Sequence, residues 1–220
     1  MSTPNTMNSP SAPQAVDKSQ PQRILLVGAS GVLGQAVQRH LGERHEILSA
    51  GRESGQYRVD LRSEASVEAL LRELGPLDAV VSTAGGLHFG PLTRMTAAQF
   101  DSGLQDKLLG QVRLALAAQH VLRDGGSITL TAGILSTEPI PMGANASAVN
   151  AALEAFALAA AIELPRGLRI NVVSPTVLTE SLPKYGAFMA GMESASAARV
   201  ALAYQRSVEG GLTGRTFSVV

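Results

Sequence analysis

The chain has 220 residues, of which 45% are hydrophobic, and this length fits one domain with a full core. Its 18 basic residues balance its 18 acidic residues, so the charge gives no sign of nucleic acid or an anionic membrane as a partner. It contains no cysteine, which excludes disulfides and thiolate chemistry, and its 4 histidines are scattered, so no metal site is predicted.

Residues 1–22 are rich in Ser, Pro, Asn, Thr and Gln and almost free of large apolar side chains. This composition predicts a disordered tail, followed by a single domain over residues 23–220. The tail lacks the charged and apolar regions of a secretory signal. The alanine-rich stretch after Gly143 is interrupted by polar residues, so it is not predicted to span a membrane, and we expect a cytoplasmic protein.

The stretch Arg23–Gly34 (RILLVGASGVLG) predicts a strand, a glycine turn and a helix. Ile24–Val27 is a continuous apolar run, typical of a parallel strand buried on both faces. Glycines stand at 28, 31 and 34, and apolar residues then recur at helical spacing. Such a turn lets a pyrophosphate approach the backbone at a helix N-terminus. The pattern predicts nucleotide binding, and the alternative is a plain strand-to-helix turn.

A second strand is predicted at His45–Ala50, and it leads into Gly51 and Arg52. In a dinucleotide-binding fold this strand ends beside the adenosine ribose, where an acidic residue favours NAD. Here the position carries Arg52, and the acidic Glu53 comes after it. A guanidinium suits the 2′-phosphate of NADP, so the sequence favours NADP(H). The alternative is a solvated loop arginine.

Strands and helices alternate through the rest of the chain, and Thr96 with Gln99 forms a capping box at one helix start. This alternation predicts an α/β fold, a doubly wound, seven-stranded parallel sheet with helices on both faces. The further predicted strands are Tyr57–Leu61, Leu77–Val81, Ser127–Thr131, Leu168–Val173 and Thr213–Val219, and the further helices are Ser63–Leu74, Ala97–Leu122, Gly143–Leu164 and Ser196–Val208.

From Arg23 to Val219 the sequence resembles the short-chain dehydrogenase/reductase family. The resemblance implies a Rossmann-type sheet, an NAD or NADP cofactor, interconversion of carbonyls and alcohols, and a dimer or tetramer. The motifs that carry it stand in the family's order: GASGVLG (28–34), Asp60-Leu61, STAGG (82–86), KLLG (107–110), GGSITLTAG (125–133), RINVVSPTVLTES (169–181) and TGRTFSV (213–219).

The resemblance also implies which residues hold the cofactor. The pyrophosphate turn would be formed by Gly28, Ser30, Gly31, Val32, Leu33 and Gly34. The remaining contacts would be Arg52 at the adenosine phosphate, Asp60 and Leu61 at the adenine, Ala84 and Gly85 beside the ribose, and Pro175 and Val177 by the nicotinamide.

The active site departs from the family's pattern. The family has a serine after the fifth strand, a Tyr-x-x-x-Lys on the next long helix and an asparagine on the preceding helix. Aligning ANASAVNAALEAF without gaps puts Ala146 at the tyrosine and Asn150 at the lysine. Counting back puts Gly133 at the serine, and KLLG puts Lys107 at the asparagine. In these respects the chain resembles a subgroup of the family that keeps the nucleotide motif without the usual active-site residues.

Lysine and asparagine are therefore exchanged between the two helices. Asn150 can hydrogen-bond the nicotinamide ribose, and Lys107 can return the lost positive charge as a general acid or an electrostatic clamp. The alternative is a surface lysine and an ordinary polar helix residue. Other candidate hydroxyl groups or proton donors are Ser136, Thr137, His88 and Tyr185.

We predict an NADP(H)-dependent oxidoreductase for a small carbonyl or alcohol substrate, with Lys107 and Asn150 in its active site. Two alternatives stay open: a non-catalytic NADPH-binding sensor or partner subunit, and a non-redox lyase, cyclase or isomerase. We also predict a homo-oligomer built on the helices Ala97–Leu122 and Gly143–Leu164, because the second carries small residues at helical spacing.

Overall fold

The computed structural model describes residues 20–220, which contain a seven-stranded, all-parallel sheet in the order β3-β2-β1-β4-β5-β6-β7. The chain enters at the centre of the sheet and winds outward in both directions, which confirms the predicted doubly wound fold. The strands are β1 (Arg23–Val27), β2 (Glu46–Gly51), β3 (Tyr57–Arg58), β4 (Leu77–Ser82), β5 (Leu122–Thr131), β6 (Arg169–Pro175) and β7 (Thr216–Val219).

Helices cover both faces of this sheet and bury one hydrophobic core on each face. The α-helices are α1 (Val32–Gly42), α2 (Glu64–Leu74), α3 (Ala97–Gly103), α4 (Leu109–Ala118), α5 (Ala144–Glu163), α6 (Leu182–Tyr185) and α7 (Ala197–Glu209). Because side chains alternate along a strand, β1 sends Leu25 and Val27 to the core under α2, α4 and α5, and Ile24 and Leu26 to the core under α1 and α7.

The predicted helix over Ala97–Leu122 is wrong at its end. Its capping box is present, since the Thr96 hydroxyl accepts from the Gln99 backbone N–H at 3.2 Å and the Gln99 side chain accepts from the Thr96 N–H at 2.9 Å. The helix stops at Ala118, however, and Leu122 pairs with Leu77 as the first residue of β5. Strand pairing across a register shift overrides the helical propensity of this segment.

Most of the predicted tail, residues 1–19, lies outside the described residues, so its disorder stays a prediction. Gln22, by contrast, is buried beside the sheet. Its N–H donates to His45 Nδ1 at 3.2 Å, and its carbonyl accepts from the Glu46 N–H at 2.9 Å. The ordered part of the chain therefore includes Gln22.

Helix α5 is long and apolar enough to cross a membrane by length and composition alone, with a mean hydropathy of 1.3. A single such helix is weak evidence for a span, because the core helix of a soluble protein passes the same test. The buried face of α5 packs on the sheet through Leu153 and Ala157. Its outer face leaves Leu158 and Ile162 61% and 85% exposed.

We propose that this outer face of α5, with Leu116 of α4, joins two copies of the chain. Changing Ile162 to glutamate puts a charge in the centre of that contact, and burying an unpaired charge is strongly unfavourable. We expect the parent protein to be a dimer or larger by light scattering at micromolar concentration, and Ile162→Glu to shift it to monomer. Leu92→Glu, at a residue that is 70% exposed elsewhere, is the control and should leave the mass unchanged. A monomeric parent would contradict the proposal.

Candidate active site

A cavity of about 440 Å³ opens at the carboxyl ends of β1, β2 and β4. Ligands of doubly wound sheets bind at this edge, where the strand order reverses. The predicted cofactor residues that line it are Gly28, Ser30, Arg52, Asp60, Leu61, Ala84 and Gly85. The other lining residues are Val27, Gly51, Glu53, Ser54, Val59 and Asp106.

The glycine turn after β1 packs so closely against neighbouring backbone that two of its positions tolerate no side chain. Gly28 has φ +90°, and a Cβ there would come within 2.8 Å of the Ala84 backbone nitrogen. A Cβ on Gly34 would collide with the Gly28 carbonyl. Gly31 precedes α1 without any side-chain cap, so no side chain covers the N-terminal N–H groups of this helix. These residues fit a pyrophosphate group.

Arg52 and Asp60 are charged residues on the lining of the cavity. The Arg52 side chain is 58% exposed, and its Nε lies 3.6 Å from Glu53 Oε1. Asp60 accepts from the Arg62 backbone N–H at 3.0 Å and from Arg62 Nε at 3.2 Å. These hydrogen bonds hold the pKa of Asp60 below its usual value. Asp60 is therefore an ionised, paired carboxylate, whereas Arg52 is paired only with its exposed neighbour.

Lys107 and Asn150 are in direct contact. Lys107 lies in a five-residue π-helical segment, Leu104–Leu108, between α3 and α4, and is only 8% exposed. Its Nζ donates to Asn150 Oδ1 and to the Ala132 carbonyl, each at 2.9 Å. Burial lowers the pKa of Lys107 to about 8. Lys107 is thus a buried amine at the end of β5 and not a surface lysine.

No hydroxyl stands at the two positions where the family has its serine and tyrosine. Gly133 packs against Asn150, and a Cβ there would lie 3.1 Å from Asn150 Nδ2. Ala146 is completely buried. The nearby Ser136 hydroxyl donates to Glu154 Oε1 at 2.7 Å, and Ser174 donates to the same oxygen at 2.9 Å.

The other candidate proton donors are Thr137 and His88, which lie on loops, and Tyr185, the last residue of α6. The Thr137 hydroxyl donates to the Ile134 carbonyl at 3.2 Å. The ring of Tyr185 lies 6.4 Å from that of Phe89, and the backbone N–H of His88 donates to Asn145 Oδ1 at 2.9 Å. Within residues 20–220, no hydrogen bond joins Thr137, His88 or Tyr185 to Lys107 or Asn150.

The remaining predicted cofactor residues lie outside the lining of the cavity. Pro175 ends β6 and Val177, 7% exposed, follows it, while Val32 is 47% exposed at the start of α1. The residues in this group are Gly31, Val32, Leu33, Gly34, Lys107, Asn150, Pro175 and Val177.

A family model described as enoyl-(acyl carrier protein) reductase matches residues 27–209 of this chain. The chain belongs to the short-chain dehydrogenase/reductase family. This family uses nicotinamide cofactors in oxidoreduction, and its Rossmann-type sheet is the fold described above.

The curated relatives include an uncharacterised oxidoreductase of Methylorubrum extorquens, 30% identical over 71% of this chain and 65% of the relative. A second relative, from Mycobacterium tuberculosis, is 33% identical over 71% of this chain and 63% of the relative. It is named (5R,7aS)-5-hydroxy-7a-methyl-1-oxo-2,3,5,6,7,7a-hexahydro-1H-indene-carboxyl-CoA reductase. The chain thus spans slightly less than two thirds of the length of these two proteins.

Among solved structures, the protein lin1944 from Listeria innocua is 45% identical, with a TM-score of 0.88 over 90% of this chain and 98% of that one. A small-chain dehydrogenase crystallised in complex with NADPH is 25% identical, with a TM-score of 0.82 over 91% of this chain and 97% of that one.

Sequence reasoning missed Asp106 as a cavity residue. Its Oδ2 accepts from the Gly86 N–H at 2.7 Å, so it fixes the glycine-rich turn after β4. The π-helical segment brings Asp106 to the cavity and Lys107 to the core, and a regular helical pattern does not indicate such a segment. The loop residues Gly51 and Ser54 were also missed, because only the charge at Arg52 drew attention to that turn.

The close approach of Gly28 to Ala84 predicts that Gly28→Ala weakens cofactor binding more than about tenfold. The added methyl group would push the turn after β4 away from the cavity. Gly75→Ala is the matched control, because Gly75 has φ +68° but nothing within 4 Å of an added Cβ. Both variants should lose about 1–3 kcal/mol of stability, because each glycine has a positive φ that is strained for alanine. Titration of NADPH and NADH should show weaker binding only for Gly28→Ala, and equal binding would refute the close-contact argument.

Proposed function

We propose that the chain is an NADP(H)-dependent oxidoreductase that acts on a small carbonyl or alcohol substrate. The choice of NADP rests on Arg52, whose guanidinium lines the cavity. Within residues 20–220, its one ion pair is with the exposed Glu53. A 2′-phosphate can displace such a pair at little cost, because exposed ion pairs contribute little. The similar dehydrogenase that was crystallised with NADPH supports the same choice.

The proposed reaction needs a positive charge near the reacting carbonyl, and Lys107 supplies it. NADPH, when bound, supplies the hydride that the carbonyl carbon accepts. An ammonium has three N–H donors, and Lys107 uses two of them on Ala132 and Asn150. The third can stabilise the oxyanion or pass it a proton. A pKa of about 8 leaves this amine able to change its protonation near neutral pH.

Asn150 has a supporting role in this proposal. Its Oδ1 accepts from Lys107, which leaves its Nδ2 as a donor on the side of Gly133. That donor is suited to the hydroxyls of the nicotinamide ribose. In the family a single lysine provides both the positive charge and the hydrogen bonds to the ribose. Here Lys107 would provide the charge, and Asn150 would provide the hydrogen bonds.

A non-catalytic NADPH-binding protein is the second candidate. The observation that favours it is the absence of any hydroxyl at Gly133 and at the fully buried Ala146. A hydroxyl donor at these positions is what the family uses to polarise and protonate a carbonyl. In this case Lys107 and Asn150 would bind the cofactor without promoting hydride transfer.

If Arg52 contacts the 2′-phosphate, Arg52→Ala should weaken NADPH binding about tenfold, or about 1.4 kcal/mol, and leave NADH binding unchanged. The chain has no tryptophan, so NADPH emission or heat must report binding. Arg58→Ala is the matched control, because Arg58 lies on neighbouring β3 and does not line the cavity. Equal affinity of the parent protein for NADPH and NADH would disprove the NADP assignment.

If Lys107 promotes the reaction, Lys107→Met should lower turnover about a hundred- to ten-thousand-fold while the protein stays folded. Lys184→Met, at an exposed lysine over the Tyr185 ring, is the control and should keep most of the activity. The parent rate should fall as the pH rises through about 8, since the ammonium is lost there.

The assay is a panel of ketones, aldehydes and quinones with NADPH. A substrate that the parent and Lys107→Met reduce equally fast would disprove the role of Lys107. Tight NADPH binding without reduction of any substrate in a broad panel would favour the second candidate.

A further inference from the structure

Gln111 of α4 is a completely buried polar residue one turn after Lys107. Its Nε2 donates to the Thr131 carbonyl at 2.9 Å, and its Oε1 accepts from the Thr131 N–H at 2.8 Å. Nε2 also lies 3.3 Å from the carbonyl of Lys107 itself. A single side-chain amide therefore joins the end of β5 to the backbone of Lys107.

The side chain of Gln111 makes the hydrogen bonds to Thr131 that a further residue of β4 would make if that strand continued beside β5. The ladder between β4 and β5 ends at Val81 and Thr129. On the other side of β5, Ala132 N–H donates to the Val173 carbonyl at 2.9 Å, which directs the N–H and carbonyl of Thr131 toward the β4 side. A carboxamide carries the same donor and acceptor as a peptide group, so it can complete the ladder where β4 turns away toward the cavity.

The next residue after Thr131 is Ala132, whose carbonyl accepts from Lys107 Nζ. Lys107 and Gln111 therefore bind consecutive residues of one strand end. The backbone of Lys107 also packs on the cavity wall, since a Cβ on Gly85 would come within 2.7 Å of Lys107 Cα. Any movement of this turn would change both the wall and the position of the amine.

We infer that Gln111 is a positioning residue, which fixes the amine of Lys107 between Ala132 and Asn150 by tying the π-helical segment to the end of β5. This inference rests on the proposed function, because the position of the Lys107 amine affects the reaction only if Lys107 takes part in it. π-helical turns of this kind occur often at functional sites.

Burial, and not an ion pair, is what sets the protonation of Lys107. Among the residues that the structure describes, no carboxylate forms a salt bridge with Lys107, and neighbouring Asp106 accepts from the Gly86 N–H. Asn150 and Ala132, which contact the amine, are uncharged, and so is Gly85, which lies against the Cα, Cβ and Cγ of Lys107. The titration of Lys107 therefore reports how closely this segment packs on β5.

The test uses Gln111→Met, which keeps the volume of the side chain but leaves both Thr131 groups unpaired. The chain has three lysines, at 18, 107 and 184, so protein labelled with ¹³C-lysine gives few signals, and the Cε shift reports each amine's protonation from about pH 6 to about pH 11. We expect the pKa of Lys107 to rise by about one unit, which lowers the ratio of neutral to charged amine about tenfold at a given pH. Gln119→Met, at an exposed glutamine just after α4, is the control and should not move it.

An unchanged Lys107 midpoint in folded Gln111→Met overturns the inference. If that variant does not fold, Gln111→Asn takes its place, since it keeps an uncharged amide but is one methylene too short to hold both Thr131 groups, and an unchanged midpoint there is equally decisive. Kinetics separate this inference from the proposed function. If Gln111→Met moves the midpoint while Lys107→Met retains full turnover, the positioning role stands and the catalytic role of Lys107 fails. If both roles hold, the pH profile of the rate moves with the midpoint.

Discussion

The hydrogen bonds from Lys107 to Ala132 and Asn150 are the constraint on which the reactive end of this site depends. A lysine buried without a carboxylate is unfavourable, because its charge loses hydration. Two contacts of 2.9 Å offset part of that cost, and the remaining cost lowers the pKa of the amine to about 8. The end of β5, the π-helical segment and α5 all meet at this nitrogen, so none of them can move independently of it.

The two ends of the cofactor site therefore differ in kind. At the adenosine end, the glycine turn, the cavity and Arg52 follow the pattern of a dinucleotide-binding fold. At the other end Lys107 and Asn150 are in direct contact, and Gly133 and Ala146 provide no hydroxyl. Under the proposed function, Lys107 and Asn150 would bind and polarise the carbonyl at this end without a phenol.

Near Lys107, two side chains on the covering helices bind polar groups at the ends of strands. Where β4 leaves the sheet, Gln111 supplies the peptide-like partner that Thr131 needs. Glu154 similarly joins Ser136, after β5, to Ser174, near the end of β6. Buried polar groups require partners, and at these two places a side chain from a covering helix supplies them.

The sequence by itself determined the fold and the glycine turn, because strand and helix periodicity and the turn glycines are local properties of the chain. The lysine–asparagine exchange stays a prediction. The sequence did not determine that the helix after Thr96 contains a π-helical segment and ends at Ala118, since strand pairing of Leu122 with Leu77 competes with helical propensity there. Whether Lys107 was a surface residue or a buried amine depended on that segment. Only the tertiary structure decided it, because the contacts with Ala132 and Asn150 join residues that are far apart in the chain.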